Sequence, residues 1–260
     1  MHKRSERHQS IAVALLIHAL TASGVAMSML AALAAWRLDW PAFFSWLGVA
    51  LLIDAIDGPL ARKFSVQTKL PQLSGTAIDF IVDYINYAFL PALALAISGI
   101  APSSVAVVLA IIIVVSSALY FGDTRMKLQD NAFRGFPCLW NGVVFSLFVI
   151  QPHWQITVTL IVLFTVLTFI PVAFVHPIRV TRWQELTLPV TVSWGFFAIV
   201  SVWYSLSPGL FIKLGLVGTS VYLCSVAAVQ QLTERFRSRM SQKKNSYAEQ
   251  KNKVCDELDA

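Results

Sequence analysis

Residues Asp54–Asp83 read DAIDGPLARKFSVQTKLPQLSGTAIDFIVD, and four of them are aspartates. The segments on either side, WPAFFSWLGVALLI before and YINYAFLPALALAI after, carry no charge at all. Two apolar helices therefore bear two carboxylates each at membrane depth. There an ionisable side chain costs about 2.5–3.5 kcal/mol even on the mildest insertion scale, so it is a functional candidate by default. Asp54 and Asp57 are three residues apart and share a face of the first helix. Asp79 and Asp83, four apart, share a face of the second. Asp57 stands five residues before Arg62 and Asp79 four after Gly75, while Asp54 and Asp83 each lie eight residues in. At about 1.5 Å per residue these are matching depths of roughly 6–12 Å. A hairpin that packs its two helices antiparallel can bring all four carboxylates to one cavity.

The rest of the chain has the same character. Of 260 residues, 57% are hydrophobic and only 13% charged, where a soluble domain carries about 25%. The expected fold is all-α, a polytopic integral membrane helical bundle. Apolar runs of spanning length lie near 11–35, 41–61, 76–98, 103–121, 138–151, 156–175, 187–205 and 209–229, about eight transmembrane helices in all. The basic start followed by an apolar stretch looks like a leader. That stretch is about 25 residues long against about 7–15 for a signal-peptide core, so a retained first helix is expected.

Orientation follows from Lys and Arg. With the N-terminus in the cytoplasm, eighteen of the twenty fall on that side: Lys3, Arg4 and Arg7, then Arg62, Lys63 and Lys69, then Arg125, Lys127 and Arg134, then Arg179 and Arg182, and seven from Arg235 to Lys253. Only Arg37 and Lys213 lie opposite. This asymmetry supports eight spans with both termini cytoplasmic. The chain then divides into an N-terminal cytoplasmic segment (1–10), one membrane domain (11–229) and a basic, partly disordered cytoplasmic tail (230–260). The net charge of +6 is accounted for by this bias and by contact with anionic lipid, which leaves no reason to invoke nucleic acid. Cys138, Cys224 and Cys255 form no CxxC or His/Cys pattern, so neither a disulfide framework nor a zinc site is expected.

Four adjacent carboxylates cannot all stay ionised without cations. Hard divalent ions such as Mg²⁺ or Mn²⁺ take oxygen ligands, and two of them balance four negative charges. The plainer possibility is that some of the aspartates are neutral or cap helix ends. A pair of metals suits phosphoryl transfer, where the ions clamp the attacking and leaving oxygens. Gly58, Ala61 and Gly75 keep the neighbouring helix faces bare, so that a flat ligand such as a nucleotide base can approach, although close helix packing uses the same residues. Arg62 at the mouth can pair with a phosphate.

The pattern Asp54-x2-Asp57-Gly58-x2-Ala61-Arg62, then Gly75-x3-Asp79-x3-Asp83, resembles the signature of the CDP-alcohol phosphotransferases with every fixed position filled. Twelve residues, KFSVQTKLPQLS, separate Arg62 from Gly75, more than most of that family has. The longer loop, with FRGFPCLWN (Phe133–Asn141) and FVHPIRVTRW (Phe174–Trp183), is similar to the bacterial branch that forms phosphatidylcholine. The resemblance implies a multi-pass enzyme of the bacterial inner membrane, with its active site facing the cytoplasm. Such an enzyme joins choline to CDP-diacylglycerol, releases CMP and works as a homodimer. It further implies that Asp54, Asp57, Asp79 and Asp83 hold two Mn²⁺ or Mg²⁺ ions, that Asp83 is also the general base, and that Gly58, Ala61, Arg62 and Gly75 line the CDP site.

Choline adds its own requirement. A quaternary ammonium offers no hydrogen-bond donor and is held by aromatic faces and carboxylates. Candidates near the cytoplasmic helix ends are Tyr84 and Tyr87, Tyr120 and Asp123, and Trp140 with Asn141. His18, inside the first span, is expected to hydrogen-bond a neighbouring helix, and His176 and Arg179 could touch lipid phosphate. Two other functions fit parts of the pattern. A phosphatidylserine synthase or another CDP-alcohol phosphotransferase would share the aspartates but not GFPCLWN or the long loop. An ion-coupled transporter would also use intramembrane aspartates, yet would have no need of DGxxAR at a helix end.

Overall fold

The computed structural model describes residues 2–125, 133–170, 173–174 and 184–226. Helix α1 (His2–Trp36) is followed by α2 (Trp40–Lys63) and a single helical turn, α3 (Val66–Lys69). The third span runs from Gly75 to Ile97 as one apolar helix in three parts: α4 (Gly75–Asp83), a π-helical segment (Tyr84–Phe89) and α5 (Leu90–Ile97). After it come α6 (Ser103–Gly122), α7 (Trp140–Ile150), α8 (Trp154–Phe169), α9 (Gln184–Trp203) and α10 (Leu210–Val226). The spans beginning at Ile11, Trp40, Gly75, Ser103 and Glu185 are long and apolar enough to cross a membrane, whereas α7, α8 and α10 are shorter apolar helices.

Local chemistry sets the boundaries. Asp39 caps α2 by accepting from the Ala42 N–H at 3.1 Å, Pro41 sits in the first turn, and Arg62 and Lys63 complement the dipole at its end. Ser74 caps α4 in the same way, accepting from Ala77 N–H at 3.2 Å. Helix α8 stops at Phe169, short of the 175 expected from hydropathy. Ile170 is extended, as a residue before proline prefers, and Pro171 follows. Ala173–Phe174 instead pairs antiparallel with Phe133–Arg134 as a two-residue strand contact, Arg134 opposite Ala173. The Lys127 position, nearly all of FVHPIRVTRW with His176 and Arg179, and the basic tail lie outside the described residues.

One core joins the end of α1 and the start of α2 (Ala31, Ala35, Phe43, Phe44, Leu47) to Val144, Phe145 and Phe148 of α7. A second joins α5, α6, α7 and α8 around Leu95, Ile113, Trp140 and Ile161. The outer surface is apolar: Leu52 is 62% exposed, Val192 66% and Ile199 71%. In water such a surface would be a large sticky patch, and in hydrocarbon it is what a spanning helix requires.

The connection between the second and third spans is packed. Val66 and Leu70 are buried against Ala14 and Ile17 of α1, with Leu60, Ala61 and Phe64 around them. This fixes how α2 hands over to α4, and so how the two pairs of aspartates face each other.

Candidate active site

Helix α1 packs against both α2 and α4 and forms the shared wall of the hairpin. Its contact with α4 is close. A Cβ on Gly75 would stand 2.8 Å from Cε1 of His18, and a Cβ on Gly24 would stand 2.6 Å from a methyl of Val82. Bare backbone at these points lets the helices approach until their polar groups meet.

Asp54, Asp57 and Asp79 each offer one carboxylate oxygen, and these oxygens lie within 4.8 Å of one another. Asp57 is buried at 5% exposure, and Asp54 and Asp79 are half-buried. Thr21 of α1 lies beside the Asp57 side chain, and its hydroxyl donates to the Ile17 carbonyl at 3.3 Å. The phenolic O–H of Tyr87 donates to Asp54 Oδ2 at 2.6 Å. A hard cation of Mg²⁺ size binds oxygens at about 2.0–2.1 Å, so its opposite ligands stand about 4 Å apart. The three carboxylates already converge to nearly that spacing, and all three are oxygen donors of the type that Mg²⁺ and Mn²⁺ select.

Asp83 lies outside this three-carboxylate group. It stands one turn, about 6 Å of rise, from Asp79 on the same helix face. It directly precedes the π-helical segment that carries Tyr87, whose hydroxyl donates to Asp54. Of the four carboxylates expected to converge, Asp54, Asp57 and Asp79 bring oxygens within 4.8 Å of one another, and Asp83 follows Asp79 by one helical turn.

The residues proposed for the nucleotide gather at the same end of the hairpin. Gly58 and Ala61 are half-buried on α2, and Arg62 is exposed in its last turn. Gly75 opens α4 beneath the His18 ring. His18 itself is 6% exposed, and its Nε2 has no hydrogen-bond partner among the described residues. The expected bond to a neighbouring helix is a ring-to-backbone contact instead.

The six positions weighed for choline fall in three places. Tyr84 and Tyr87 lie on the π-helical segment next to Asp83; the Tyr84 hydroxyl donates to the Val114 carbonyl of α6 at 3.2 Å, and that of Tyr87 to Asp54. Tyr120 and Asp123 lie at the end of α6 and line a small cavity with Arg125, Arg134 and Thr168. There Arg125 grips Asp123 with Nε and a terminal nitrogen, both at 2.9 Å, and these hydrogen bonds hold the carboxyl down at about 2. Trp140 is fully buried, with its indole N–H donating to Ser117 Oγ at 3.0 Å, and Asn141 accepts from the Gly142 N–H.

The sequence left Thr21, Ser28 and Asn86 unassigned. Thr21 and Ser28 are seven apart and share a helix face, and both are buried polar residues against the hairpin. Polar residues at heptad spacing in an apolar span were the available signal.

No protein-family model matches the chain. Among curated proteins it is similar to the phosphatidylcholine synthase of Brucella melitensis, with 40% identity over 216 residues covering 83% of this chain and 78% of the relative. It is similar as well to that of Bradyrhizobium diazoefficiens, with 44% identity over 83% of this chain and 78% of the relative. The phosphatidylcholine synthase of Borreliella burgdorferi is 34% identical over 76% of this chain and 85% of that protein. The carboxylate triad on a two-helix hairpin and these relatives together place the chain in the phosphatidylcholine synthase branch of the CDP-alcohol phosphotransferase family.

Proposed function

We propose that this protein transfers the phosphatidyl group of CDP-diacylglycerol to choline, forming phosphatidylcholine and CMP. The observation that carries this is the triad of Asp54, Asp57 and Asp79 at one depth of an apolar bundle, in a chain about 40% identical to phosphatidylcholine synthases. The triad with Asp83 holds two divalent ions, Mn²⁺ or Mg²⁺. The distribution of Lys and Arg supports a multi-pass protein of the bacterial inner membrane with both termini and the site on the cytoplasmic side. By its resemblance to the family, it works as a homodimer.

The chemistry divides among the side chains. The choline hydroxyl is a weak nucleophile, so a carboxylate must take its proton as the oxygen attacks the phosphorus that carries diacylglycerol. By its resemblance to the family, Asp83, one turn from Asp79, shares metal coordination with this role of general base. The new bond joins choline oxygen to that phosphorus, the bond to the bridging oxygen breaks, and the electron pair leaves with CMP. Metal ions, when bound, neutralise charge building on the diphosphate and on the leaving CMP. Gly58, Ala61 and Gly75 leave room for the cytidine against helix backbone, and Arg62 takes a phosphate oxygen at the mouth. The acyl chains remain in the bilayer while the nucleotide enters from water, and a site one or two turns inside the helix ends meets both demands.

Membranes containing the protein, supplied with CDP-diacylglycerol and Mn²⁺, are expected to incorporate labelled choline into lipid and to release an equal amount of CMP. Equal or better incorporation of serine would overturn choline as the acceptor while leaving the family standing.

A further inference from the structure

The third span changes its winding directly after Asp83. Residues Tyr84–Phe89 form a π-helical segment between two α-helical parts. Such segments are rare and mark functional sites more often than chance. In a regular α-helix a four-residue step overshoots a full turn by about 40°. From Asp79 through Asp83 to Tyr87 that drift would accumulate and carry Tyr87 off the carboxylate face. The wider i→i+5 turn takes up the overshoot. Tyr87, at 7% exposure, consequently lies over the aspartates with its hydroxyl 2.6 Å from Asp54 Oδ2.

The π turn is held by its own side chains. Asn86 is buried at 3% exposure, and its amide donates to the Val82 carbonyl four residues back at 3.1 Å. The Asn86 Oδ1 lies 3.0 Å from the Ser28 hydroxyl of α1, which ties the irregular turn to the wall helix.

We infer that Tyr87 is a positioning residue for the metal site: its hydroxyl fixes the Asp54 carboxylate so that the opposite oxygen points into the triad, and the Tyr84–Phe89 π turn exists to bring it there. The inference rests on the proposed use of Asp54, Asp57 and Asp79 as metal ligands. It assigns Tyr87 through its hydroxyl, not through the ring face that choline would need. Groups that orient a metal ligand typically contribute 10–100-fold to metal affinity.

The test is Mn²⁺ binding by the purified full-length chain in lipid nanodiscs, read by electron paramagnetic resonance in the absence of substrate. Tyr87→Phe removes one oxygen and keeps the ring in its seat, and a thermal midpoint within a few degrees of the unmodified chain checks that it folds. It is expected to weaken Mn²⁺ by about 10–100-fold while the choline KM stays unchanged. In an Asp54→Asn background the same change is expected to add no further loss, because the interaction runs through Asp54. Unchanged Mn²⁺ affinity in Tyr87→Phe, or a full additional loss in the Asp54→Asn background, overturns the inference and leaves the metal site intact. Failure of the unmodified chain to bind Mn²⁺ overturns the metal site and this inference with it. Should Tyr87→Phe not fold, Ser28→Ala takes its place: loosening Asn86 is expected to weaken Mn²⁺ severalfold, and unchanged affinity counts against the role of the π turn.

Discussion

The imidazole of His18 lies against the backbone of Gly75, and no side chain fits between them: a Cβ at 75 would stand 2.8 Å from Cε1 and 3.3 Å from Nδ1. Helix α1 is thereby pressed onto the first turn of α4, four residues before Asp79. The contact explains why the family's glycine position opens this helix even though alanine is the better helix former.

Gly75→Ala is expected to lower the thermal midpoint despite a propensity gain of about 1 kcal/mol, because overpacking at such a contact costs about 1–3 kcal/mol. In a His18→Ala background the clash is gone and the propensity gain remains. The double variant should then be at least as stable as His18→Ala alone. Melting curves of the four proteins decide it, and an equal loss in both backgrounds would show that His18 is not the obstacle.

Asp57→Asn and Asp79→Asn remove triad oxygens and are each expected to abolish high-affinity Mn²⁺ binding and to reduce turnover by more than about 10²-fold. Asp83→Asn is expected to reduce turnover by about 10²–10⁴-fold, the usual contribution of a general base, while Mn²⁺ still binds. Paired binding and rate measurements separate the two roles. A near-normal rate in Asp83→Asn removes it as the base.

Chelation should stop the reaction reversibly. After EDTA treatment, phosphatidylcholine formation is expected to fall to background and to return on addition of Mn²⁺ or Mg²⁺. Persistence of activity in chelator would contradict a role for the triad as a metal site.

Gly135 has φ +79°, and a Cβ there would overlap the Thr168 carbonyl oxygen at the end of α8. Gly135→Ala meets both the left-handed penalty of roughly 1–2 kcal/mol and a backbone clash that cannot relax cheaply. Its yield of folded protein is expected to drop sharply, as judged by size-exclusion profile and melting temperature. A wild-type melt would show that the loop does not need this approach.

Orientation can be read chemically. In a cysteine-free background, Lys69→Cys is expected to react with an impermeant maleimide only after spheroplasts are broken, and Arg37→Cys to react in intact ones. The reverse pattern would invert the proposed topology.

The sequence by itself determined the membrane class, the hairpin and the chemistry of its polar groups. Hydropathy over about 20 residues is a strong signal because bilayer hydrocarbon tolerates no unpaired backbone. Asp54, Asp57, Asp79 and Asp83 stood out because a carboxylate in such surroundings is costly. Only the tertiary structure decided which carboxylates meet. Helical spacing places residues on a face but does not say how far apart two helices stand. That distance was set by Gly24 and Gly75 against Val82 and His18, and by Val66 and Leu70 anchoring the connecting turn on α1. The π turn that turns Tyr87 toward Asp54 was equally hidden, since it depends on Asn86 and Ser28 meeting across two helices. Local sequence specified the groups and their depth, and packing of α1 on the hairpin specified their geometry.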